Sequence, residues 1–92
     1  MFSRNKQPAI KSLIAQGSRI EGDVHFTDGL RIDGQVRGDV RAEPGQDGLL
    51  VISALARVEG AVHAAHVIVN GEVVGPVHAS QLLELQPKAR IT

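Results

Sequence analysis

Apolar and polar residues alternate along this chain only in short bursts, and glycine interrupts each burst. The recurring unit is an apolar residue, any residue, Gly, any residue, then Val. It occurs as Ile20-x-Gly22-x-Val24, Ile32-x-Gly34-x-Val36, Val58-x-Gly60-x-Val62 and Val69-x-Gly71-x-Val73. Alternation at period two places Ile and Val on one side of a short strand and the intervening charged residues on the other. A glycine inside the unit has no Cβ and permits a bend towards a new direction. Strands this short, separated by such bends, predict a coil rather than hairpins.

A longer repeat organises these units. Ser18–His25 returns as Ala56–His63, with Arg, Glu, Gly, Val and His recurring at an offset of 38. Gly34–Ala42 returns as Gly71–Ala79, with both glycines, both valines and the alanine at an offset of 37. Two coils per long repeat, about 18 residues each, predict an all-β solenoid whose tiers stack as parallel strands roughly 4.8 Å apart. Residues 1–12 read as a flexible arm and 13–92 as the solenoid. The polar run Glu43-Pro44-Gly45-Gln46-Asp47-Gly48 reads as a loop bulging from one corner. Pro76 takes the place of Asp39 in the repeat and must sit where no N–H is needed.

A stack of coils presents a row of unpaired backbone groups at each end. Leu82, Leu83, Leu85, Ala89 and Ile91 carry the apolar pattern through to the C-terminal residues. An open end of this kind invites another copy, and a contact that repeats gives a filament. A fragment separated from its cap would show the same ending. The residues expected to form the polymerisation interface are Ile10, Leu13, Ile14 and Ile20 at one end and Leu83, Leu85 and Ile91 at the other.

Composition narrows the partners. At 92 residues there is room for one domain, and without cysteine neither disulfides nor thiolate metal sites can support a small core. Ten Lys+Arg balance ten Asp+Glu, and with no Trp or Tyr and two Phe the chain lacks stacking platforms for nucleic acid. No apolar run approaches a membrane span, and the N-terminus lacks signal-peptide order, so a cytoplasmic location is expected.

Candidate chemistry is sparse. His25 and His63 hold equivalent repeat positions beside inward valines and should both point outwards, about 9–10 Å apart, too far to share a metal. His66 lies near a corner and His78 replaces Arg41. All four histidines read as surface residues. Asp23, Asp28, Asp33 and Asp39 alternate with Arg19, Arg31, Arg37 and Arg41 as a solvated face with cross-coil charge pairs. The calcium-binding nonapeptide, P-loop, nucleophile elbow and His-Glu-x-x-His motifs are missing, so no catalytic residue, cofactor or metal is expected. The alternative is a left-handed β-helix acyltransferase of the hexapeptide type. Ile20, Phe26 and Ile32 fall at six-residue spacing, but Val36 and Val40 then break that register.

The segment Leu30–Val40, with Gly17–Gly22, Val69–Gly75, Leu83-Glu84-Leu85 and Ala89-Arg90-Ile91, closely resembles the bactofilin family. The resemblance runs from about Ile10 to Thr92. It implies a right-handed, three-sided β-helix that polymerises without nucleotide into non-polar filaments. Family members serve as bacterial scaffolds in cell shape, polarity or recruitment of wall-modifying proteins. The start, Met1-Phe2-Ser3-Arg4-Asn5-Lys6, resembles the short membrane-targeting stretch of such proteins. Met1, Phe2, Arg4 and Lys6 are therefore the expected contacts to the cytoplasmic face of the inner membrane.

Overall fold

The computed structural model describes residue 10, residues 12–43 and residues 48–92. Residues 1–9, residue 11 and residues 44–47, which take in most of the arm expected over 1–12 and the centre of the loop expected over 43–48, lie outside the described residues. Within them the chain is strand and turn throughout. The strands are β1 (Ser12–Ile14), β2 (Arg19–Glu21), β3 (Val24–Phe26), β4 (Gly29–Ile32), β5 (Gln35–Arg37) and β6 (Val40–Ala42). There follow β7 (Leu49–Ile52), β8 (Arg57–Glu59), β9 (Val62–Val69), β10 (Glu72–Val74), β11 (Val77–Leu85) and β12 (Arg90–Ile91).

Every pairing is parallel and joins a strand to its counterpart one turn later, so the chain is a β-solenoid of about 4 turns. Three faces result. The first stacks β1, β4, β7 and the second halves of β9 and β11. The second stacks β2, β5, β8, β10 and β12. The third stacks β3, β6 and the first halves of β9 and β11. β9 and β11 turn a corner unbroken and so serve two faces each.

Turn length is not uniform. Stacked residues lie as few as 15 positions apart (Val58 under Val73) and as many as 22 (Val36 under Val58). The 18-residue coil expected from the repeat is only an average, and no strict six-residue register survives. Most of the difference sits at the corner between the third and first faces, which takes Ala42 to Leu49 in one tier and is turned within β9 in the next. A further two residues come and go between the first and second faces, where wide and narrow turns alternate. The wide corners close with Ser18 N–H on Ala15 O at 3.0 Å, Ala56 N–H on Ser53 O at 3.0 Å and Ala89 N–H on Gln86 O at 2.9 Å. The tiers between them use the narrow corners Asp33-Gly34 and Asn70-Gly71. A Cβ on Gly34 would stand 2.5 Å from the carbonyl oxygens of both Ala15 and Ser18, and one on Gly71 would collide with the Ser53 oxygen. Each narrow corner thus seats directly on the carbonyls of the wide corner beneath. One wide and one narrow tier make one long repeat, which is why the sequence echoes over two coils.

The corner between the second and third faces is built differently. Gly38, Gly60 and Gly75 each stack on the glycine of the preceding tier, starting from Gly22, and all four have positive φ. Beside them runs a side-chain ladder. Asp23 Oδ1 accepts from the Asp39 N–H and Asp39 Oδ1 from the Ala61 N–H, both at 2.9 Å. Ala61 offers no carboxylate to the next tier, and there the position is Pro76, which has no N–H to satisfy. The Pro76 carbonyl still accepts from Val62 at 2.9 Å. The requirement read from the repeat for Pro76 is met.

Alternation sends aliphatic columns inwards from every face, and the first face adds a second one through Leu30, Leu50, Val67 and Leu83. Ile14, Ile32, Ile52, Val69 and Leu85 stack from the first face, and Ile20, Val36, Val58, Val73 and Ile91 from the second. Val24, Val40, Val62 and Val77 stack from the third. In the middle tiers Ile32, Val36, Val40, Leu50, Ile52, Val58, Val62, Val67, Val69 and Val73 are fully buried. Burying each of these side chains contributes about 1.5–3 kcal/mol.

Candidate functional site

The positions expected to mediate assembly fall at the two ends of the stack, but the ends differ. At the upper end Leu83, Leu85 and Ile91 continue the buried columns above Val67, Val69 and Val73, yet they are 44%, 55% and 41% exposed. Their backbone lies on the last strands of the first and second faces, so edge groups and apolar side chains are presented together. At the lower end Ile14 is buried and Ile20 half-buried, so less apolar surface is open there.

Leu13 does not belong to the end surface in the same way. It is placed under Arg31 in an outward column that continues through Val51 and Ile68, and it is exposed on the side of the first face. Ile10, just before β1, is exposed. The structure adds end residues that apolar spacing did not single out. Phe26 and Val24 complete the lower tier of the third face, and Val77 and Ala79 form its last described strand. Apolar residues near the chain termini mark only part of each end, because a solenoid end is a whole turn. Met1, Phe2, Arg4 and Lys6 lie outside the described residues.

The outward faces carry the charges. On the second face Glu59 meets Arg57 at 3.3 Å and Arg37 at 3.8 Å, and Arg57 reaches Glu72 at 3.9 Å. Arg37–Glu59 and Arg57–Glu72 do join successive coils, through glutamates rather than the aspartates expected to form such pairs. Arg31–Asp33 at 2.9 Å and Arg41–Asp39 at 3.2 Å instead join residues two apart on one tier. All are partly or largely exposed and individually worth about 0–1 kcal/mol. The Ala61 N–H first, and then the Arg41 guanidinium, hold the Asp39 carboxyl below its ordinary pKa. This aspartate, read from the sequence as one of a solvated face, is also part of the backbone ladder.

The third face carries one continuous outward column: His25, Arg41, His63 and His78. The histidines do face outwards as expected, and His25 and His63 are two tiers apart. The sequence comparison did not reveal that His78 stacks directly on His63. Their ring centroids are 4.5 Å apart with planes inclined by 13°. His66, at the next corner, bonds the Gln81 side chain through Nε2 at 3.1 Å. No group of three metal-ligating side chains occurs among the described residues. No helix there is long and apolar enough to cross a membrane.

The family model of bactofilin, described as polymer-forming cytoskeletal, matches residues 12–92. No curated protein and no solved structure matches the chain.

Proposed function

The chain belongs to the bactofilin family of cytoskeletal scaffold proteins, and from that premise we propose that it polymerises end to end into filaments without nucleotide. One observation carries this reading. The upper tier combines a parallel strand edge with Leu83, Leu85 and Ile91 exposed at positions that are fully buried one tier below. A second copy placed there would continue both the hydrogen-bond ladder and the aliphatic columns. Negative-stain electron microscopy of the full chain, without nucleotide or metal, is expected to show long, thin, unbranched filaments. Discrete particles at every concentration would reject polymerisation.

The proposed place of work is the cytoplasmic face of the inner membrane, with the filament recruiting proteins that act in cell shape, polarity or wall modification. Met1, Phe2, Arg4 and Lys6 are the proposed anchor. One aromatic wedge and a few cations bind an anionic leaflet weakly, at about 1 kcal/mol per cation. A filament presents many copies, and multivalency turns weak contacts into firm attachment. Removing residues 1–6 is expected to abolish co-flotation of filaments with anionic liposomes while leaving the filaments intact. Undiminished flotation would sink the anchor.

A further inference from the structure

We propose that His63 and His78 form a two-imidazole site for a borderline divalent transition metal, clipping the third tier of the third face to the fourth. Parallel in-register strands bring identical side chains to about 4.8 Å of one another, and here the two rings stack with centroids 4.5 Å apart. Two imidazole nitrogens bound to one ion at about 2.0–2.1 Å stand roughly 3–3.4 Å apart. Rotation about the broad χ2 torsion turns a nitrogen of each ring out of the stack towards the other, and a small change in χ1 closes the remaining distance. Both side chains project from the outer surface, so nothing in the packed core has to move.

The groups facing His63 are Arg41 on β6 below, His78 on β11 above and Asp39 at the preceding corner. Arg41 is itself paired with Asp39 at 3.2 Å, which tempers its repulsion of a bound cation. His25 lies one tier beyond Arg41 and cannot reach the same ion. Two protein ligands leave the other coordination positions to water or to donors from a second molecule. Imidazole donors select Ni(II), Cu(II) and Zn(II) over the oxygen-seeking Mg(II) and Ca(II).

The test is equilibrium dialysis of the tag-free full chain against Ni(II) at pH 7.5. One Ni(II) per chain is expected, with His63→Ala and His78→Ala each weakening it about tenfold or more, and His25→Ala leaving it unchanged. Excess Mg(II) should not compete, and acidification to pH 5.5 should release the metal as protons displace it. Arg41→His keeps the proposal testable if an alanine variant folds poorly. It removes a cation and adds a third stacked imidazole, so it should bind Ni(II) more tightly than the parent. Wild-type affinity in His63→Ala, or no gain in Arg41→His, would overturn the site and leave only adventitious binding elsewhere.

Discussion

Gly22→Ala is expected to lower the unfolding midpoint by about 5–15 °C, and Gly60→Ala by at least about 10 °C more than that. The two glycines belong to one corner column and both have positive φ, 153° and 129°. An alanine at either position therefore carries the backbone strain of that region, on the order of 1–3 kcal/mol. They differ in what lies beneath. A Cβ on Gly60 would collide with the Gly38 carbonyl, while one on Gly22 would meet nothing within 4 Å. The Gly38 carbonyl cannot withdraw, because its tier is tied above and below. Gly38 N–H donates to Glu59 O at 2.9 Å, and its neighbour Asp39 bonds both Asp23 and Ala61. The collision adds to the strain, and together they are a large fraction of the roughly 5–15 kcal/mol that holds a small domain folded. Thermal unfolding followed by circular dichroism separates the two variants. Equal shifts would mean that the tiers part easily and that strain alone sets the cost.

That contrast also shows what a sequence of this kind discloses. Inward columns follow from alternation at Ile20, Ile32, Val36, Val58 and Val73, because period two and burial are properties of single residues. Glycine corners follow as well, since Gly22, Gly34, Gly60 and Gly71 recur in one short motif. The motif nevertheless hides two different corners. Gly22 and Gly60 adopt positive φ, whereas Gly34 and Gly71 are glycine because their backbone sits against carbonyls of the wide corner below. Nothing within the five-residue unit distinguishes a φ requirement from a contact requirement, because the second depends on the tier beneath.

The same limit explains the histidine pair. Comparing residues 37 or 38 positions apart sets His63 on His25 and His78 on Arg41, which are neighbours two tiers away. Neighbours one tier away are separated by anything from 15 to 22 residues, so His78 on His63 becomes visible only when corner lengths are known. Leu13 shows a related limit. Apolar spacing groups it with Ile10, Ile14 and Ile20 at one end, and alternation from Ile14 turns its side chain outwards on β1. Apolar identity alone does not fix the side of a strand when the strand is three residues long.

Leu85→Arg is expected to abolish filaments while leaving the solenoid folded, and Arg31→Glu is expected to leave filaments intact. Leu85 occupies the column of Ile14, Ile32, Ile52 and Val69, but with no described tier above it the side chain is 55% exposed. An arginine there can reach solvent in an isolated chain, so the monomer loses little beyond contacts with the tier below. Stacking a second copy would bury that guanidinium between aliphatic columns without a carboxylate opposite. Desolvating an unpaired charge costs several kcal/mol even after relaxation. A penalty of about 4 kcal/mol already lowers an association constant roughly a thousandfold. Arg31 points outwards from the first face, and its guanidinium meets Asp33 of the same tier at 2.9 Å. Reversing its charge breaks one exposed pair, worth about 1 kcal/mol or less, on the outward side of the stack and one tier in from the lower edge. Pelleting assays and electron microscopy on both variants, with circular dichroism confirming the fold, give the comparison. Filaments retained by Leu85→Arg but lost by Arg31→Glu would move the assembly contact from the ends of the stack to its side.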